Sequence, residues 1–405
     1  MKILVLNAGS SSQKSSLYDL TAGLPPNPPN PIWEAQIDWG RSPHHATIMV
    51  KTAAGKQTQT TETRSRSEDT RRMLQTLWDG EQAVLSSPDA IDGVGHRVVH
   101  GGQDYRQSVR ITAQVKAAIE RLKSLAPSHN PANLDGILAI EQVLGDRLPQ
   151  VAVFDTAFHS QIPPAAATYP VPHQWTEQGI RRYGFHGISH QYCSQRAAQL
   201  LGNPLNDLRL ITCHLGNGAS LAAVRHGHSI DTTMGFTPLE GLMMGSRCGS
   251  IDPGIIIHRL RQQDCTVDEL DAILNKQSGL LGVSAISSDL REILEAIAAG
   301  HAQAQLAFDM YIHRLRSHLG SMWMSLGGVD ALVFTAGVGE HSPQIRAAAC
   351  DGLEFLGVKL DGDRNQSNPV DTDIAHPDSA VRILVIHTQE DWAIAQDCWR
   401  ILTAD

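Results

Sequence analysis

The sequence predicts an α/β fold built in packed layers, in a chain long enough for more than one domain. Three observations carry that expectation. Short apolar runs of strand length alternate with stretches of helical spacing. Three of the strands, in VLNAGSSS, ITCHLGNGAS and VFTAGVGEHS, run straight into small-residue turns. The chain has 405 residues, and at roughly 100–200 residues per domain that length predicts two to four domains.

Ile3 to Leu6 reads as a buried strand, stopped by the small polar run from Asn7 to Ser12, with Leu17 and Tyr18 in a second strand. LPPNPPNP at 24–31 excludes a helix or central strand, because proline lacks the donor and fixes φ. An exposed loop is expected there; a polyproline ligand for a partner is the alternative. Residues 32–39 and 46–51 read as strands, followed by a turn at Ala54-Gly55 and a polar run. Residues 66–78 predict a helix, and Val94 to Val99 a strand running into glycines. Val115, Ile119, Leu122 and Leu125 give helical spacing over 112–125, stopped by Pro127. Asn133 is expected to cap the next helix, whose apolar set is Leu134, Ile137, Leu138 and Val143-Leu144. Val151 to Phe154 reads as a strand ending in Asp155. The second half alternates more plainly, with strands expected at 208–213, 219–224, 331–334 and 382–386 and helices at 267–275, 288–299, 302–324 and 390–401. Leu306, Met310, Leu315, Leu319 and Met322 predict a core stripe on the long helix.

Apolar residues are 41% of the chain, enough for a sizeable core, and the formal charge is −9. That balance argues against coating nucleic acid or anionic lipid, and leaves room for a local basic pocket. Six cysteines form no CxxC pair, which predicts reduced thiols and a cytoplasmic setting. The apolar run after Lys2 is too short for a signal peptide, and nothing approaches the ~18 apolar residues of a membrane span.

The repeated unit is more informative than any one motif. Small residues after a strand let backbone N–H groups approach an anion closely. Ser10, Ser11 and Ser12 add hydroxyls, and Lys14 a mobile positive charge. The first two turns lead into a further apolar run, which predicts strand–turn–strand hairpins opening onto an anion. Neither GxxxxGK[ST] nor a helix-opening GxGxxG occurs, so turns rather than one helix end would hold a nucleotide. Arg97 lies inside an apolar strand, and Arg247 lies among glycines and small residues. A guanidinium in either place needs solvent, a salt bridge or an anion, and its planar fork suits phosphoryl or carboxylate oxygens. Asp155 and Glu390 each follow a strand and suit magnesium, which takes few carboxylates. Zinc at His186 and His190 is disfavoured, with no HExxH and no cysteine pair. His186 instead suits hydrogen bonding to a transferring phosphoryl group.

LVLNAGSSSQKSS, GHRVVHGG, VFDTAFH, RRYGFHGISH, HLGNGAS, DTTMGFTPLEGLMMGSRCGSIDPG and FTAGVGEHS stand in that order across nearly the whole chain. Together they resemble the acetokinase family, the acetate kinases. The resemblance implies the two-domain actin-like ATPase (ribonuclease H-like) α/β fold, with a nucleotide cleft between domains. It implies domains at 1–154, completed by the C-terminal helix 390–405, and at 155–389. It implies a homodimer without nucleic-acid or membrane partners. The implied reaction is reversible transfer from ATP to acetate, giving acetyl phosphate and ADP, with Mg2+ or alternatively Mn2+.

Carried onto this chain, the resemblance implies that Arg97 and Arg247 bind substrate and the transferring phosphoryl, and that His186 stabilises its equatorial oxygens. Asp155 would orient the reacting groups or the metal, and Asn7 and Glu390 would serve the metal. Ser10, Ser12 and Lys14 would form the first phosphate turn. His214, Leu215, Gly216, Asn217 and Gly218 would form the second. Gly337, Val338, Gly339, Glu340 and His341 would line the nucleotide. Val99, Phe185 and Pro238 would make the pocket for the acetate methyl, with His129 at its edge.

Three departures bear on specificity. Ser128 replaces the leucine of the usual APLHNP, which suggests a roomier or wetter pocket and a propionate side activity. His341 replaces an asparagine, which bears on the nucleobase. TNEE reads Thr388-Gln-Glu-Asp391, with Glu390 retained. The rivals are a propionate or butyrate kinase, a sugar kinase using Asp155 as base, and an actin-like nucleotide switch or filament subunit.

Overall fold

The structure, a computed structural model, describes residues 1–9, 12–42, 44–127, 129–263 and 265–404. Ser10, Ser11 and Ser128 lie outside the described residues. The chain folds as two compact units, one of Met1–Ala157 with Gln389–Asp405 and one of Phe158–Thr388.

The first unit is built on strands β1 (Lys2–Ala8), β2 (Ser12–Asp19), β3 (Trp33–Ser42), β4 (His45–Thr52), β5 (Gly55–Glu62), β6 (Gly93–Val98), β7 (Val109–Arg110) and β8 (Gln150–Phe154). They form one sheet in the order β5-β4-β3-β2-β1-β6-β8-β7. β1 pairs antiparallel with β2 and parallel with β6, and β6 pairs parallel with β8. Adjacent parallel strands end at the same edge. Leu6 pairs with His96, and Val98 with Phe154, so Asn7, Arg97 and Asp155 reach that edge side by side.

Helices α1 (Arg66–Gln75), α2 (Ala113–Arg121) and α3 (Asn130–Leu144) flank this sheet. Met73 and Leu74 of α1 and Ile140 of α3 bury against Leu4, Leu17, Trp33 and Ile37. Val115, Ile119 and Ile137 close a second core over Val98 and Phe154. The C-terminal helix Glu390–Thr403 lies against β6, where Gly93 and Gly95 present no side chain. A β-carbon on Gly95 would stand 2.7 Å from Ile394. The glycines therefore weaken the strand locally but admit the helix.

The polar run after Gly55, to which the sequence assigned no element, is the strand β5. It pairs only with β4 at the sheet edge and buries none of its residues, so it carries no apolar alternation to read. Asn133 is not a cap: α3 starts at Asn130, with Pro131 in the first turn where no donor is needed. The buried Asn133 amide instead accepts from the Val99 N–H at 3.0 Å and donates to the Ala8 carbonyl at 3.0 Å. Residues 21–32, with their prolines, join β2 to β3 without helix or strand.

The second unit holds β9 (Arg209–Leu215), β10 (Ala219–Arg225), β11 (His228–Thr232), β12 (Ala331–Thr335), β13 (Thr372–Asp373) and β14 (Arg382–Val385). Their order is β11-β10-β9-β12-β14-β13. As in the first unit, the earliest strand sits inside the sheet, with its hairpin partner on one side and parallel strands on the other. The helices include α4 (Gly187–Leu201), α5 (Val267–Lys276), α6 (Leu290–Ala298), α7 (Ala302–Leu326), α8 (Ala336–His341) and α9 (Pro343–Cys350).

Two expectations change here. The third glycine-rich segment is the short helix α8, entered through Ala336 at φ 64°, rather than an open turn. The buried face of α7 runs through Ala304, Ala307, Tyr311, Leu315, Leu319, Met322 and Leu326. Leu306 is 48% exposed, one position off that face, because small alanines and a tyrosine occupy it.

Candidate active site

In the first unit the ends of β1, β6 and β8 carry a connected polar cluster. Arg97 donates to Asp155 through Nη2 at 2.6 Å and Nε at 3.0 Å, and through Nη1 to Asn7 Oδ1 at 3.3 Å. Asn7 Nδ2 donates onward to Asp391 Oδ1 at 3.0 Å and to Glu390 Oε2 at 3.4 Å. Ser16 donates to Asp391 at 2.8 Å. Burial alone would pull the Arg97 guanidinium down, but Asp155, Glu390 and Asp391 hold it above its ordinary pKa. Burial likewise pushes the Asp391 carboxyl up, against the bonds from Asn7 and Ser16.

The structure thus joins Asn7, Arg97, Asp155 and Glu390. It adds Asp391, which sequence reasoning left without a role although it sits beside Glu390 in the first turn of a helix. The first glycine turn closes through a 2.8 Å bond from the Gly9 N–H to the Ser12 carbonyl. Lys14 is exposed and stands opposite Asn7 across the hairpin. Val99 is buried and tethered by Asn133, and His129 is half-buried at the head of α3.

In the second unit His186 occupies the N-cap of α4 in the left-handed region, φ 56°. That conformation is costly for a side-chain-bearing residue and persists only where its surroundings enforce it. His159 does so from behind, with Nε2 3.0 Å from the Phe185 carbonyl. The His186 ring stacks on His214 at 4.1 Å between centroids, and its Nδ1 lies 2.9 Å from Ser220 Oγ. His214 Nδ1 lies 2.8 Å from Ser189 Oγ.

Arg247 Nη1 donates to the Pro238 carbonyl at 3.2 Å and contacts Met244 Sδ at 3.8 Å. It is half-buried, burial lowers its pKa, and no carboxylate among the described residues pairs with it. A β-carbon on Gly218 would stand 3.4 Å from both Arg247 Nη1 and His186 Nε2. A cation, an imidazole edge and a bare glycine turn therefore surround one point. Phe185, next to His186 in the chain, is fully buried.

A cavity of about 830 Å³ opens beside it, within the size range of cofactor pockets. Gly216, Asn217, Gly337, Val338 and His341 line it, as do Asp289, Arg291 and Tyr311, which carry no glycine signature and went unread in the sequence. Leu215 and Gly339 pack inside the protein instead: a β-carbon on Gly339 would stand 3.5 Å from the Cys213 carbonyl. Glu340, expected along the nucleotide, uses its carboxylate as a bracket. It accepts from the Ala336 N–H at 2.9 Å and the Thr388 N–H at 3.1 Å, and meets His387 Nδ1 at 2.5 Å. Arg346, fully buried, clamps the far end of α8 by donating to the Gly339 and Glu340 carbonyls at 2.9 and 2.8 Å. Its other bonds go to Asn365, and burial pushes its pKa down to about 10.

Asn7, Glu390 and Asp391 offer hard oxygen donors, and Glu390 is only lightly engaged, by the long bond from Asn7. Among the described residues no group of three or more His, Cys, Asp or Glu forms a metal cage. Magnesium needs none, since it keeps waters and substrate oxygens as ligands; the donor set fits it. No helix among the described residues is long and apolar enough to cross a membrane.

The profile of the Acetokinase family matches residues 2–396. An acetate kinase of Gloeobacter violaceus is 64% identical over 99% of this chain and 100% of its own length. The crystal structure of Porphyromonas gingivalis acetate kinase aligns at a TM-score of 0.90 and 39% identity, covering 99% of this chain and 100% of that one. A propionate kinase from Francisella tularensis aligns at 0.90 and 38%, covering 99% of each chain. Two α/β units with mixed sheets are consistent with an actin-like ATPase fold. The chain belongs to the acetokinase family and is a phosphotransferase enzyme.

Proposed function

We propose that this chain transfers the γ-phosphoryl group of ATP reversibly to acetate, by in-line attack of the acetate carboxylate, giving acetyl phosphate and ADP. The observation that carries this is Arg247: a half-buried cation with no carboxylate partner among the described residues, sharing with His186 Nε2 the space over Gly218. An unpaired buried cation is costly unless an anion completes it. Acetate is already an anion and needs no strong base, so the task is to offset repulsion and align two anions. Arg247 and His186 would take the phosphoryl oxygens. Arg97, held by Asp155, would take the carboxylate, with the methyl near Val99, Phe185, Pro238 and His129. Magnesium, held through Glu390 and Asn7, would neutralise phosphate charge.

In this proposal the nucleotide occupies the 830 Å³ cavity lined by Gly216, Asn217 and Gly337. His214, Gly218, Ser10, Ser12 and Lys14 would serve the phosphates. The domains would be 1–154 with 390–405 and 155–389, ribonuclease H-like. A cytoplasmic homodimer without nucleic-acid or membrane partners completes the proposal. Likeness to a propionate kinase supports a side activity on propionate. Trapping acyl phosphate as hydroxamate, with ATP, magnesium and acetate, propionate or butyrate, tests the reaction and its acyl preference. Acetate should give the highest kcat/KM and propionate a lower one. Absence of acyl phosphate with every acid would overturn the assignment.

A further inference from the structure

Behind His186 the second unit holds a buried line of polar side chains. His186 Nδ1 lies 2.9 Å from Ser220 Oγ, and the same hydroxyl lies 2.8 Å from His190 Nε2. His190 Nδ1 lies 2.7 Å from Thr212 Oγ1. Ser220, His190 and Thr212 are all fully buried.

A serine hydroxyl carries one proton. Between two imidazole nitrogens it donates to one and accepts from the other. With both rings neutral, His186 Nδ1 and His190 Nε2 must therefore be in opposite states: one bears a hydrogen, the other a lone pair. Two arrangements satisfy this. In the first, Thr212 donates to His190 Nδ1, His190 Nε2–H donates to Ser220, and Ser220 donates to His186 Nδ1. The His186 hydrogen then sits on Nε2. In the second every bond is reversed, and Nε2 of a neutral His186 presents a lone pair.

The distances separate the two. In the second arrangement the Thr212 proton must turn to the Ala222 carbonyl, 3.5 Å away, at the limit of a hydrogen bond. In the first it lies in the 2.7 Å bond to His190. His190 is the ring held neutral, because burial, with His159 and His214 nearby, keeps it well below the ordinary histidine pKa; the tautomer concerns the neutral form of His186. Which ring nitrogen carries the proton is set by the bond the other makes.

We infer that Thr212, His190 and Ser220 are positioning residues that lock His186 in the tautomer with its hydrogen on Nε2, so that a neutral imidazole presents a donor to the phosphoryl group. The inference rests on the phosphoryl role proposed for His186. Nε2 is the nitrogen that stands with Arg247 Nη1 over Gly218. A lone pair there would face the phosphoryl oxygens as a second acceptor and oppose transfer.

The test uses the full chain labelled with 15N-histidine in mildly alkaline buffer, where the protonated and bare nitrogens of a neutral ring differ in shift. His186 is assigned by its loss in His186→Asn. The expected result is hydrogen on Nε2. Thr212→Val keeps the shape without the hydroxyl and should lower kcat about 10–100-fold, by analogy with groups that orient a ligating imidazole. The KM values should stay within about twofold, since ground-state binding is untouched. Ser220→Ala should do the same and mix the His186 tautomers, whereas Thr212→Ser should restore kcat. Hydrogen on Nδ1 in the unmutated chain overturns the inference, and so do unchanged kcat and tautomer in both Thr212→Val and Ser220→Ala. If a variant fails to fold, the tautomer of the unmutated chain decides alone. Full activity in His186→Ala would remove the phosphoryl role itself. A disabled His186→Ala beside an unaffected Ser220→Ala would remove only the relay.

Discussion

Arg97 grips Asp155 with two of its nitrogens, Nε at 3.0 Å and Nη2 at 2.6 Å, and turns the third to Asn7. The carboxylate is almost wholly buried, with its side chain 2% exposed. Removing the guanidinium in Arg97→Ala would strand that charge and cost about 3–5 kcal/mol of stability. Arg97→Lys keeps the charge but loses the fork. It should fold, with kcat/KM down about 10²–10³-fold, the scale of a lost oxyanion donor. Urea unfolding and the hydroxamate assay read the two effects separately. Ordinary kcat/KM in Arg97→Lys would remove this arginine from the reaction.

Gly218 is needed for space rather than for backbone freedom. A β-carbon there would stand 3.4 Å from Arg247 Nη1 and His186 Nε2, where the proposed phosphoryl group lies. Gly218→Ala should therefore leave the unfolding midpoint nearly unchanged. Its kcat/KM should fall on the order of 10²-fold, because displacing a reacting group by about 1 Å costs that much. An active, stable Gly218→Ala would place the phosphoryl elsewhere.

Arg346 supports the wall of the cavity proposed for the nucleotide without lining it. Its Nη1 holds the carbonyls of Gly339 and Glu340, while Gly337 and Val338 at the other end of α8 line the cavity. Arg346→Met fills the volume but leaves those buried carbonyls without donors, at about 1–3 kcal/mol for each one left unmet. The expected outcome is a lowered unfolding midpoint together with a raised KM for ATP and an unchanged KM for acetate. Equal changes in both KM values would show a general loss of structure instead.

Much of this fold was legible because its central strands are buried on both faces. β1, β9 and β12 read as apolar runs ending at small residues, and the sheets follow from their alternation with helices. β5 was not legible, since an edge strand with exposed side chains looks like a polar loop. In the site, Arg97 stood out as a charge inside an apolar strand and Asp155 as one at a strand end. Their mutual grip did not, because 58 residues separate them and only the parallel register of β6 and β8 joins them. Glu340 and Arg346 show the same limit from the other side. Both sit in or beside the segment expected to line the nucleotide, yet their charges face inward to backbone groups. Thr212 and Ser220 look like ordinary strand residues, and only the pairing of β9 with β10 puts them around His190.

Acid sensitivity follows from buried histidines in both units, His96 in the first and His159 and His190 in the second. Burial lowers His96 and His159 from the ordinary 6.5 to about 4, against the opposing bonds to Gln150 and the Phe185 carbonyl. Between those values the unfolded chain binds a proton that the folded chain refuses. Stability therefore rises with pH across this window and falls as pH drops from about 6.5 toward 4, by about 1.4 kcal/mol per pH unit for each ring. Ordinary carboxylates begin to contribute only below about pH 5, so the upper half of the window belongs to the histidines. Urea unfolding followed across that upper half should show the slope, and His96→Gln should reduce it by about one ring's share. If the slope of His96→Gln matches that of the unmutated chain, His96 is protonated in the folded protein and its burial does not govern acid unfolding.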